Sequence, residues 1–231
     1  MATVKTSALI ADIRGAVGGN VFTRNKGGLS VRSRIKPLNP KSTYQQARRA
    51  LLSGAAAYWA VLTAQVRADW QAYAVNTSWT NRLGDSINIG GEAAFIRVAT
   101  MLQLAGQGLP AAAPTAYGHA SATIGTVTAI TTTQIATLAE PVVGWDKDID
   151  SDWLLVFAAM PQPASREMAP SRWRFMEAIE GDSVTPETFP YALAAWPWTY
   201  KEGDRLTIAY VHIDPESRIS VRTFASCFAA A

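Results

Sequence analysis

With 231 residues, 48% of them hydrophobic and 17% charged, the chain can bury one large core or two small ones, and its composition excludes a disordered polymer. Its one cysteine, Cys227, excludes an intrachain disulfide and a cysteine-based zinc cluster, and no apolar run reaches the roughly 20 residues of a membrane-spanning helix. The net charge of +3 hides an asymmetry: residues 1–60 carry ten Lys or Arg against Asp12 alone, a formal +9, which leaves −6 for the remainder.

The basic segment is punctuated by Gly15, Gly18, Gly19, Gly27 and Gly28. Two short β-like stretches, 20–24 and 29–36, flank the link Asn25-Lys26-Gly27-Gly28, whose residues accept positive φ, so the pattern predicts a hairpin. In its second strand Leu29, Val31, Ser33 and Ile35 share one face, and Ser30, Arg32, Arg34 and Lys36 share the other. A lone two-stranded hairpin is marginal in water, so it must lie against other protein. Pro37 and Pro40 close this arm, and Asn39 or Ser42 can cap the helix that follows.

Tyr44, Ala47, Leu51, Ala55, Tyr58 and Leu62 recur at helical spacing and predict one buried face. Thr63 reads as a second N-cap, with Val66, Trp70 and Tyr73 as the stripe of an antiparallel partner helix. A third helix is predicted over 91–105, with Phe95, Val98, Met101, Leu102 and Ala105 inward and Gly106 as its stop. Residues 109–114 (LPAAAP) read as a linker. Beyond them the pattern alternates, and strands are predicted over 122–130, 134–138, 153–160, 173–179, 205–213 and 218–228, the last two joined by a turn at 214–217. The fold class predicted is α+β: a basic arm with a β-hairpin (1–40), a helical anchoring region (41–108), the linker (109–114) and an antiparallel β-sandwich of immunoglobulin or fibronectin type III style (115–231). Eight tryptophans exceed what a modest core needs and hint at surfaces buried only on assembly.

The residue types that carry chemistry do not assemble into a motif. His119 and His212 stand apart, and neither a metalloprotease helix, a hydrolase elbow nor a phosphate-binding loop is present. Cys227 reads as a buried, inert thiol. Asp146, Asp148, Asp150 and Asp152 alternate like the early ligands of a calcium loop, but Ser151 stands where that loop needs glycine and Phe157 where it needs a closing glutamate. A polar loop is the better reading, and no enzyme activity, metal or cofactor is expected.

The run Ile13-Arg14-Gly15-Ala16-Val17-Gly18-Gly19-Asn20-Val21-Phe22-Thr23-Arg24-Asn25-Lys26-Gly27-Gly28-Leu29-Ser30-Val31-Arg32 resembles a pattern met in uncharacterised proteins encoded among tailed-bacteriophage virion genes. There a proline-bounded turn, a helix like Thr43-Tyr44-Gln45-Gln46-Ala47-Arg48-Arg49, a segment like Leu62-Thr63-Ala64-Gln65-Val66-Arg67-Ala68-Asp69-Trp70 and a helix like Gly91-Glu92-Ala93-Ala94-Phe95-Ile96-Arg97 follow. The resemblance covers about the first 105 residues and implies a virion structural protein made in the bacterial cytoplasm: a capsid decoration or cement protein, or a neck or tail adaptor. Its partners would be capsid, connector or tail subunits and copies of itself, with no membrane involved. Candidate docking residues are Phe22, Arg24, Lys26, Arg32, Arg34, Lys36, Arg48 and Arg49, with Trp59 and Trp70 as apolar contacts or core. A glycine-rich arm is mobile in an isolated chain, so neighbouring subunits are expected to hold it by pairing at a strand edge. Two other readings remain: nucleic-acid binding through the basic arm, and glycan or receptor binding by the sandwich through Trp196, Trp198 and Tyr200.

Overall fold

The structure is a computed structural model that describes residues 2–3, 14–25, 28–35, 39–80, 85–120, 127–130, 135–138, 145–166, 172–185, 187, 191–194 and 196–230. It is an α+β chain whose two compact units are Met1–Gln46 and Ala47–Ala231.

In the first unit, β1 (Ala2–Thr3), β2 (Gly15–Val17), β3 (Asn20–Asn25) and β4 (Gly28–Ser33) form an antiparallel sheet in the order β1-β4-β3-β2. The predicted hairpin is its centre: Asn25 pairs with Gly28 across a two-residue link and Phe22 pairs with Val31. A second two-residue turn, with Gly18 at φ 59°, adds β2. Thr23 and Ser30 join hydroxyls across β3 and β4, and Ser30 is buried.

Helix α1 (Thr43–Val61) begins at the end of this unit, where Ser42 accepts the Gln45 N–H. Of its predicted inner face only Ala55 is fully buried, Tyr58 and Leu62 are half-buried, and Tyr44 stays exposed. Helix α2 (Ala64–Asn76) starts at Thr63, whose hydroxyl accepts the Val66 N–H at 3.3 Å. Arg67 fixes the α1–α2 turn by donating to Ala60 O at 2.7 Å while its guanidinium lies over Trp59. A short hairpin, β5 (Trp79–Thr80) and β6 (Ser86–Ile87), leads to α3 (Gly91–Leu104), which ends at Gly106 with φ 79°. A Cβ on Gly91 would stand 2.7 Å from the Gln71 backbone nitrogen, so only glycine lets α3 start this close to α2.

The remaining strands are β7 (Val127–Ile130), β8 (Ile135–Leu138), β9 (Trp153–Ala159), β10 (Trp173–Glu180), β11 (Tyr191–Ala192), β12 (Arg205–Ile213) and β13 (Thr223–Ala230). They make one seven-stranded sheet, β10-β9-β12-β13-β7-β8-β11, antiparallel except for the β13–β7 pair. The expected division into a helical region and a separate sandwich is not what the chain does. All seven residues of β9 are buried. Trp153, Leu155 and Phe157 share one core with Trp70, Tyr73, Phe95 and Val98 of the helices. Leu154, Val156 and Ala158 join a second core with Leu138, Trp145, Trp196 and Tyr200. The linker at 109–114 is part of the first core, since Leu109 and Ala113 pack against it.

The sheet curls until its two edges meet. Between Phe175 and Glu177 the β10–β9 register slips, so Phe175 pairs with Phe157 on the helix side while Glu177 pairs with Val156 on the inner side. The bulge at Met176 thereby turns Glu177 inward. There its carboxylate accepts the Ala194 N–H at 2.8 Å and the Tyr191 hydroxyl at 3.5 Å. Strand β10 is thus clasped to β11 at the opposite edge, and Arg174 lies 4.7 Å over Trp198 beside it. The tryptophans serve this interior: Trp70, Trp79, Trp145, Trp153 and Trp196 are buried and the other three half-buried, so they are not held back for assembly.

Burial holds the Glu177 carboxyl above its ordinary range, and pushes the Tyr191 phenol up to about 12. A carboxyl whose pKa rises on folding binds its proton more tightly in the native state, so stability falls as pH climbs through the folded pKa. Glu177→Gln keeps an oxygen for the Ala194 N–H and removes the charge. Its melting temperature is expected to equal or exceed wild type at pH 7, with the gap closing below pH 4; a lower value at pH 7 would contradict the account.

Candidate docking surfaces

The first surface is the N-terminal sheet. Phe22 is half-buried on β3, alongside Val31 of β4. Arg32 and Arg34 are exposed, and the Arg34 N–H donates to Gly19 O at 2.7 Å, which carries the chain past the end of β4. Arg24 pairs with Leu29 through the backbone, while Lys26 and Lys36 lie outside the described residues. Arg48 and Arg49 lie in the second unit, where Arg48 sits 5.7 Å over the Phe175 ring. Among the described residues of the first unit no hydrophobic side chain is buried, and neither core cluster includes any of them. Val17 and Ile35 are 70% and 78% exposed, so among the described residues this sheet presents basic and apolar side chains without a buried core.

The second surface is a groove in the body with a volume of about 430 Å³, lined by Trp79, Arg97, Met101, His119, Val211, the 219–222 segment and Phe224. Helix α3 brings Arg97 to 5.0 Å over the Trp79 ring. His119 meets Trp79 edge-on at 5.1 Å, and its two ring nitrogens face Ile219 O and Ser78 O. Arg222 crosses the Phe157 ring at 5.2 Å; its side chain stays exposed in part, and the water it loses lowers its pKa without discharging it. Beside the groove, Phe224 and Phe228 of β13 are each 59% exposed on one face of the strand.

The residues with chemical potential are tied into the body. His212 and Asp152 form a buried pair between the end of β12 and the start of β9, each side chain only 3% exposed. Asp152 also accepts the Asp146 N–H at 2.8 Å. Asp146 accepts from the Asp148 N–H and Asp150 from the Ser183 N–H, so these carboxylates are occupied by backbone donors. Gly181 presses on this loop so closely that a Cβ would stand 2.3 Å from Ile149 O. No group of three or more His, Cys, Asp or Glu that could hold a metal lies among the described residues. Cys227 is half-buried, and burial raises its thiol pKa. Trp196 and Tyr200 are core residues in edge contact at 6.1 Å, and only Trp198 of that cluster is half-open.

No helix is long and apolar enough to cross a membrane among the described residues. No protein-family model, curated protein or solved structure matches the chain.

Sequence spacing could not have found the groove, because Arg97, His119 and Arg222 meet only through the fold. The pairing of Asp152 with His212, 60 residues away, was equally hidden. Asp152→Ala would remove the buried carboxylate that pairs with His212 and accepts the Asp146 N–H. The unfolding free energy should drop by about 3–5 kcal/mol in a urea titration, and an unchanged midpoint would show that the pair holds nothing.

Proposed function

We propose that the protein is a non-catalytic structural component of a tailed-phage particle, a cement, neck or tail-adaptor subunit, which docks on neighbouring subunits through its basic N-terminal sheet. The observation that carries this reading is a four-stranded sheet with no buried hydrophobic side chain among its described residues. So small a sheet gains little from its own burial and needs external cover to be stable. Partners with acidic surfaces and an apolar patch would meet Arg32 and Arg34 on one face and Phe22 and Val31 on the other. The resemblance of residues 13–32 to virion proteins points the same way.

The body supports a scaffold role over a catalytic one. Its most reactive-looking pair, His212 and Asp152, is sealed from solvent and cannot meet a substrate. Glycan stacking would need an open aromatic platform, and Trp196 and Tyr200 are enclosed.

Limited proteolysis tests the reading. In the isolated full-length protein the segment before residue 40 should be cleaved within minutes, while the same segment in particles of the encoding phage resists. Arg32→Glu combined with Arg34→Glu should lower incorporation into particles about tenfold or more, equivalent to about 1.4 kcal/mol, with the melting temperature of the body unchanged. A protease-resistant arm in the dilute isolated protein would overturn the proposal.

A further inference from the structure

The groove holds two guanidinium groups fixed on aromatic rings, Arg97 on Trp79 and Arg222 on Phe157. Stacking on a ring leaves the edges of a guanidinium free to hold a carboxylate with two parallel hydrogen bonds. Neither arginine has an ion-pair partner among the described residues, although the chain after residue 60 has a net charge of −6. By contrast, Arg218, close by in sequence, is paired with both Asp214 and Glu216. With Arg97 and Arg222 the groove is lined by the apolar Met101, Ile219 and Phe224 as well as by the polar Thr80, His119 and Ser220. Exposed cations held on aromatic rings beside apolar side chains favour an occupant that pairs an apolar side chain with anionic neighbours.

The chain itself presents such a segment. Val184 is 83% exposed, the most exposed large hydrophobic residue of the described chain, and it lies between Asp182 and the exposed Glu187. The Asp182 carboxylate accepts the Val184 and Thr185 N–H groups and the Thr185 hydroxyl, so the loop is already shaped before it meets a partner. The loop leaves the sheet at the same end as the groove. Glu180 of β10 is in register with Trp153, and Trp153 with Ile213 of β12, so 181–185 and 214–222 leave the sheet from the same end, with β9 between their strands.

We propose that this groove receives the valine-tipped acidic loop 182–187 of a second copy of the chain. Because loop and groove share one end of the sheet, two copies related by a twofold axis can exchange loops at once and form a closed pair. This contact uses no residue of the N-terminal sheet and does not depend on the docking proposed for it.

Sedimentation equilibrium of the full-length protein tests the pair. Wild type should pass from monomer to dimer as concentration rises, with the dimer weakened by salt. Val184→Asp alters only the exposed tip and should raise the dimer dissociation constant at least tenfold, as should Arg97→Glu with Arg222→Glu. Adding Glu187→Arg to the latter pair should recover part of the loss, an outcome that misfolding would not give. A wild type that stays monomeric, or a dimer indifferent to Val184→Asp, would overturn the inference. Either result would leave arm-mediated docking to stand or fall on its own proteolysis test.

Discussion

A strand that is buried on both faces sets the terms for the rest of this body. Residues 153–159 run Trp-Leu-Leu-Val-Phe-Ala-Ala without a polar side chain, and each is enclosed. Such a strand cannot lie at an edge, and it cannot face water on either side. Strands β10 and β12 close its edges, the three helices cover its odd-numbered face, and the curl of the sheet covers the even-numbered one. Removing the helical layer would expose Trp153, Leu155 and Phe157 together. At about 1.5–3 kcal/mol for each large apolar side chain, exposing the three would cost an amount comparable to the whole stability of a typical domain. Helices and sheet therefore fold as one body rather than as an anchor joined to a sandwich.

Closure of the curl depends on a smaller device. A regular strand would send Phe175 and Glu177 to the same side. The extra residue at Met176 lets Phe175 stay with the helices and swings Glu177 inward to reach Ala194 and Tyr191. An exposed sheet edge invites pairing with foreign strands. Here β10 meets the opposite edge through side-chain bonds instead of a backbone ladder, so the sheet is shut without becoming a continuous barrel. The cost is a carboxylate in a partly dehydrated place, visible in its raised pKa.

Local features were legible in the sequence and long-range ones were not. Thr63 and Gly106 mark helix ends because a cap requires only its own neighbours. The limits of β12 could be read from alternation and the turn that follows. Strand β13 starts later than alternation suggests, because Asp214 captures both the backbone N–H and the side chain of Arg218 and Ile219 bridges back to Ile213. Alternation tells which side chains turn inward, but it does not tell the order of strands. A single curled sheet and two packed sheets write the same pattern. The bulge at Met176 leaves no mark at all, and β11 is only two residues long. The run of aspartates at 146–152 alternates like ion ligands but reads better as a polar loop, and which partners its acceptors serve, near residues 146, 148, 183 and 212, no spacing could tell.

The two faces of the N-terminal sheet bear on what kind of partner suits it. Arginines alone would fit a phosphate backbone as well as an acidic protein. Phe22 and Val31 do not fit that choice equally, because they lie together on the face opposite Arg32 and gain nothing from phosphates. A duplex offers little apolar surface apart from its stacked bases, chiefly thymine methyls and sugar C–H groups, and the arm places no aromatic residues at the intervals that base stacking needs. A protein surface can supply acidic side chains, apolar cover and a strand edge in one contact. The apolar half of the arm, more than its charge, is what favours a protein partner.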